Sequence, residues 1–129
     1  MSYAISTTVE KPYAETVEAV KAALGEQGFG VLTEIDMQAT LKKKLDVDIA
    51  PQVILGACRP PLAYQSLQAE PSIGLLLPCN VVVREADGGT VVEAVDPQTM
   101  VQMTDNGELQ SVADEAKQRL EKALASLSA

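Results

Sequence analysis

Four of the chain's seven prolines, Pro60, Pro61, Pro71 and Pro78, lie between residues 57 and 80, and so do both of its cysteines, Cys58 and Cys79. Proline fixes φ and offers no N–H, so each one sets a boundary that neither a helix interior nor a central strand can cross. Gln52 to Cys58 is apolar and β-rich and reads as a buried strand that stops before the Pro60-Pro61 pair. That pair opens a short helix carrying Leu62, Ala63 and Leu67, and Pro71 ends it. Residues 72–78 read either as a turn of helix or as an apolar loop. Rigid turns therefore bracket the only soft, nucleophilic side chains in the chain.

On either side the pattern alternates between two periods. Tyr3, Ile5, Thr7 and Val9 share one face of a strand within the first ten residues. Pro12 then opens a helix whose stripe is Tyr13, Val17, Val20 and Leu24, with Glu18 and Lys21 on the wet side; Gly28 stops it and Phe29 folds back over the last turn. Val31, Thr33 and Ile35 alternate as a second strand, and Asp36 caps a short helix with Met37, Leu41 and Leu45 as its stripe and Lys42 to Lys44 in solvent. Residues 80–85 and 90–95 flank Ala86-Asp87-Gly88-Gly89, a hairpin signature. Residues 99–103 read as one more extended piece. Asp105 with Glu108 forms a capping box, and Leu109, Val112, Ala116, Leu120, Ala123, Leu124 and Leu127 run down one face of a long terminal helix. Residues 1–129 thus read as a single α+β domain with short extra helices in its connections.

The run Ile54 to Pro60 with Pro61-Leu62-Ala63, the run Leu67 to Pro71, and the run Ile73 to Val83 together resemble the prokaryotic family called domain of unknown function 302. The resemblance follows the order of elements along the whole chain and is most specific over residues 54–85. It implies a strand–helix–four-strand–helix order, an antiparallel sheet with helices packed on one face, and association as dimers. It implies no activity and no catalytic residues. One departure is Arg59, where the family often has Asn between Cys58 and Pro60, so a role needing a neutral amide there is in doubt for this chain.

Composition narrows the function by exclusion. A net charge of −8 and an aromatic content of 3% argue against nucleic acid, which needs basic surfaces and stacking platforms. Apolar runs such as 73–77 are too short to span a bilayer, and the first residues show no signal-peptide pattern, so a cytoplasmic protein with reduced cysteines and no membrane partner is expected. There is no histidine, which removes the Ser–His–Asp relay, the histidine base and the usual zinc and iron ligand sets. No glycine-rich phosphate loop is present.

Cys58 and Cys79 carry the remaining chemistry. If the strands that bear them pair antiparallel, both thiols lie at one end of the sheet, within reach of a disulfide or a shared soft cation. Arg59 beside Cys58 would favour a thiolate. The plainer account, favoured on the residues alone, makes both cysteines small core side chains. Tyr64 lines a pocket with Arg59 or simply packs. Met100 and Met103 read as core filling before thioether ligands, Lys42 to Lys44 as a solvated face, and Glu85, Asp87, Glu93, Asp96 and Asp105 as turn and solubility residues before a cation site.

The expectation is a small cytoplasmic dimer that binds a small ligand or partner near the edge marked by Cys58, Arg59, Tyr64 and Cys79, with no identified catalysis, no cofactor and no metal. Its competitors are a thiol-dependent redox, sulfur-carrier or soft-metal protein using Cys58 and Cys79, and a purely structural interaction module. The dimer has a physical motive as well, since a small open sheet leaves strand edges that proteins tend to cover.

Overall fold

The computed structural model describes residues 3–128. Met1, Ser2 and Ala129, which belong to the expected first strand and to the expected domain range, lie outside the described residues. Five strands, β1 (Ala4–Val9), β2 (Gly30–Asp36), β3 (Gln52–Cys58), β4 (Cys79–Ala86) and β5 (Gly89–Val95), form one sheet in the order β1-β5-β4-β3-β2, every neighbour antiparallel. The helices are α1 (Tyr13–Glu26), α2 (Met37–Leu45), α3 (Pro60–Ala69), α4 (Gln98–Thr104) and α5 (Gln110–Ala125). The order of strands and long helices is the one expected.

Alternation decides which face of the sheet is covered. Val53, Leu55 and Ala57 of β3, Val81 and Val83 of β4, and Val92 and Ala94 of β5 are buried, while their sequence neighbours on β4 and β5 are only partly buried or exposed. Against that face pack Val17, Val20 and Leu24 of α1 and Leu120, Ala123 and Leu124 of α5, making one aliphatic core. At about 25 cal/mol per Å2 of apolar surface, each leucine in it contributes about 1.5–3 kcal/mol. α1 ends as its sequence requires. Gly28 takes φ +83, its N–H donates to the Gly25 carbonyl, and the Phe29 N–H donates to the Leu24 carbonyl.

Two local expectations are corrected. Residues 98–104 form α4 and not an extended piece. The Asp96 carboxylate accepts the Gln98 N–H at 2.9 Å and the Asp96 carbonyl accepts the Thr99 N–H at 3.0 Å, which starts a helix directly after β5. Asp105 caps nothing ahead of it; it is the left-handed C-terminal residue of α4, φ 52. The N-terminal cap is Asn106, whose side chain accepts the Glu108 N–H at the 3₁₀ turn Gly107–Leu109 that leads into α5. α2 forms as read, with Asp36 as its cap accepting the Ala39 N–H; Met37 and Leu41 are half-buried and Leu45 is exposed. Residues 72–78 resolve into a 3₁₀ turn, Pro71–Leu76, followed by a cis Leu77–Pro78 bond.

Candidate functional site

The ends of β3 and β4 that carry the cysteines meet α3 and α5 around an apolar cavity of about 240 Å3. Its floor is Ala57, Cys58 and Cys79, its walls are Leu62, Ala63 and Ser66 from α3 and Val112 and Ala116 from α5, and Phe29, Leu32, Leu77, Pro78 and Met100 complete it. Many of these side chains are small, and that is why space remains between α3 and the sheet. The Ser66 hydroxyl is buried but donates to the Leu62 carbonyl at 2.8 Å, so it is spent within its own helix. The cavity wall is therefore apolar apart from two thiols and Arg59.

The β3–β4 register pairs Ala57 with Cys79, and the β2–β3 register pairs Cys58 with Gly30. Both cysteines thus lie at one end of the sheet, as antiparallel pairing requires. Adjacent strand residues point to opposite faces, so Cys79 shares the covered face with Ala57 and Cys58 does not. Both thiols are free. Burial pushes the Cys79 thiol up to about 11, with a further push from Cys58. A thiol held that far above neutral pH is a poor nucleophile, because attack needs the thiolate. Arg59 does not offset this at Cys79.

Arg59 is instead engaged on the other side. It caps α3 through its carbonyl, which accepts the N–H groups of Leu62 and Ala63. Its guanidinium lies against Gly28, where any side chain would collide with Nη1, so the glycine that ends α1 also makes room for the arginine. Glu115 Oε2 lies 3.5 Å from Arg59 Nε, near enough for charge attraction but outside hydrogen-bond geometry, and Nε is buried with no acceptor. The same Glu115 oxygen accepts from Arg119 Nε at 2.9 Å. The hydrogen bond and charge of Arg119, with Arg59 adding to them, hold the Glu115 carboxyl below its usual range.

Of the four residues singled out from sequence, Cys58, Arg59 and Cys79 line the cavity and Tyr64 does not; it is 66% exposed on the far side of α3. Glu115 and Arg119 were not singled out. Their i, i+4 spacing on α5 is legible, but their meeting with Arg59 is a tertiary fact. A second apolar cavity, about 390 Å3, is lined by Tyr3, Leu76, Val95, Pro97, Thr99 and Met103, and it shares Cys79 and Met100 with the first. Met100 is buried between the two, while Met103 is exposed. The acidic residues near the hairpin are dispersed: Glu93 pairs with Arg84, Asp96 with Lys117, and Asp105 ends α4. Lys42 pairs with Asp46 and Asp48. No cluster of three or more metal-ligating carboxylates and thiols occurs among the described residues.

Comparison with known proteins fits this architecture. The family described as domain of unknown function DUF302 matches residues 5–127, and the chain belongs to that family. The chain is similar to the crystal structure of an uncharacterized conserved DUF302 protein from Bacillus stearothermophilus, with 29% sequence identity, a TM-score of 0.91, and 98% of this chain and 99% of that chain covered. No curated protein matches it. Kinship and fold are thereby established, and no activity is indicated with them.

Proposed function

We propose that this DUF302 protein is a binding protein for a small apolar molecule, held in the cavity between α3, α5 and the ends of β3 and β4. The observation that carries the reading is the cavity itself: apolar walls, small side chains on facing elements, and few polar groups, which is the usual character of a ligand site. Engineered apolar cavities of about 150 Å3 hold benzene. A volume of about 240 Å3 suits a somewhat larger body, such as a ring with a short alkyl tail. The reading involves no catalytic step. The thiol-dependent alternative finds little support at Cys79, whose thiol stays protonated.

The test is a binding titration with butylbenzene, followed by calorimetry or by chemical-shift changes of Ala57, Ala63 and Val112. Ala63→Phe is the partner experiment, because Ala63 is only partly buried and a phenyl group there fills the cavity from its rim. Saturable binding that Ala63→Phe abolishes supports the reading. Absence of binding up to the solubility limit of the probe overturns it.

The same proposal includes a homodimer and a cytoplasmic setting. β2 is an edge strand, and Leu32, Ile35, Leu45 and Val47 on and after it are 43–66% exposed, more apolar surface than an edge leaves bare without a partner. A second copy is the partner proposed, and a concentration-independent monomer mass in sedimentation would refute it. Two free thiols favour a reducing compartment, and no helix among the described residues is long and apolar enough to cross a membrane.

A further inference from the structure

We infer that the molecule bound in the cavity is a monocarboxylate, its apolar body among Leu62, Ala63 and Val112 and its carboxylate on Arg59. The inference rests on the binding reading above and adds the ligand's head group to it. Three observations lead there. Arg59 is the only charged side chain lining the cavity, and a cation at the rim of an apolar wall selects for an anion. Its Nε is buried, faces Glu115 Oε2 at 3.5 Å and makes no hydrogen bond, so the protein leaves the guanidinium incompletely paired. And the ion pairs there are unequal: within ion-pair distance the two guanidiniums of Arg59 and Arg119 share the single carboxylate of Glu115, whose nearer oxygen is already taken by Arg119. Two positive charges against one negative leave one positive charge over.

That remainder also sets the charge of the ligand. One spare positive charge balances a monoanion, whereas a phosphate monoester brings about two negative charges at neutral pH. Helix N-termini hold phosphates through free backbone N–H groups. The N-terminus of α3, beside the cavity, has none to give: Pro60 and Pro61 lack the N–H, and those of Leu62 and Ala63 are bonded to the Arg59 carbonyl. Recognition falls to the guanidinium alone, whose planar fork matches a carboxylate.

The test compares two probes with the same body and length, 4-phenylbutyrate and 4-phenylbutan-1-ol, titrated into the full chain at neutral pH and moderate salt. The acid is expected to bind about tenfold more tightly than the alcohol, the preference a charge-assisted hydrogen bond gives. Arg59→Met is expected to bring the two to equal affinity by weakening the acid alone. Glu115→Gln, which removes the competing carboxylate and leaves Arg59 in place, is expected to tighten the acid and leave the alcohol unchanged. Equal affinity of the two probes for the unaltered protein overturns the monocarboxylate assignment while the cavity reading stands. Failure of both probes to bind overturns the cavity reading and this inference with it. Tighter binding of the acid that persists in Arg59→Met moves the head group to another residue and overturns the assignment to Arg59.

Discussion

The protonation of Cys79 can be tested without any ligand. Its thiol sits at about 11 against an ordinary 9.0, chiefly because burial denies the thiolate its solvation. At any pH below 9, that gap lowers the thiolate fraction about a hundredfold. Alkylation proceeds through the thiolate, so Cys79 in folded protein should react at least about a hundred times more slowly than in denatured protein, with restricted access adding to the factor. The cleanest measurement uses the Cys58→Ser variant, so that one thiol is followed, with rates taken by mass spectrometry from pH 7 to 10. Loss of Cys58 leaves burial, the larger cause, in place. A folded-state rate within a few fold of the denatured rate would refute the reasoning.

The same group links stability to pH, and the sign is fixed by which state keeps the proton. Below pH 9 the thiol is protonated in the folded and unfolded chain alike, and nothing is lost. Between 9 and about 11 the unfolded chain releases the proton while the folded chain holds it, so stability falls as pH rises. Two pH units correspond to about 2.7 kcal/mol, fully lost only above the folded value. Denaturant melts of the unaltered protein and of Cys79→Ala should diverge across this window, the variant showing the shallower decline. Tyr13 is also raised, by burial and then by Asp36 and Glu34, but it titrates in both proteins and cancels in the difference.

Two substitutions test the frame around the site. Gly56→Ala places a Cβ 2.8 Å from Pro78 Cγ and into the Thr33 hydroxyl, across from the covered face, and the rigid proline ring cannot yield; a loss of about 1–3 kcal/mol is expected in urea melts, and a loss near zero would show that β2 and the Pro78 turn do not pack there as described. Asp96→Ala removes the acceptor of the Gln98 N–H and the partner of Lys117 Nζ at 3.0 Å, and should cost about 1–2 kcal/mol, whereas Asp96→Asn keeps a capping oxygen and should cost about half as much. Equal losses for the two variants would assign the whole effect to the ion pair.

Much of the fold was legible because it depends on local pattern. The alternation in residues 80–85 and 90–95, the stripe from Leu109 to Leu127 and the Gly28-Phe29 stop are each written within one continuous short stretch of chain, and all three elements formed as read. The errors share a cause. Thr99 to Met103 reads as extended, but a side-chain cap from Asp96, outside the segment itself, settles it as helix. Met37, Leu41 and Leu45 have helical spacing and form their helix, yet Met37 and Leu41 are only half-buried and Leu45 is bare. Tyr64 stands two residues from Leu62 on the same helix, and a step of that size turns it away from the buried side. Local pattern states which faces are apolar; it does not state what, if anything, meets them.

The site divides along the same line. Cys58, Arg59 and Cys79 could be found from sequence because prolines pin them to strand ends, and antiparallel pairing then brings those ends together. Nothing local announces the opposite wall. Ala116 and Val112 continue a core stripe whose lower part, Leu120 to Leu127, fills its space against α1 and the sheet. At the upper end α3 stands between α5 and the strand ends, and Ala57, Ala63 and Ala116 are too small to close the gap. The same end of the molecule brings Arg119 and Glu115, one turn apart on α5, beside an arginine that the turn at Gly28 leaves room for. A packing shortfall and an excess of positive charge thus occur together at one place. Each alone is commonplace in a protein of this size; their coincidence is the ground for the proposed ligand with an apolar body and an anionic head.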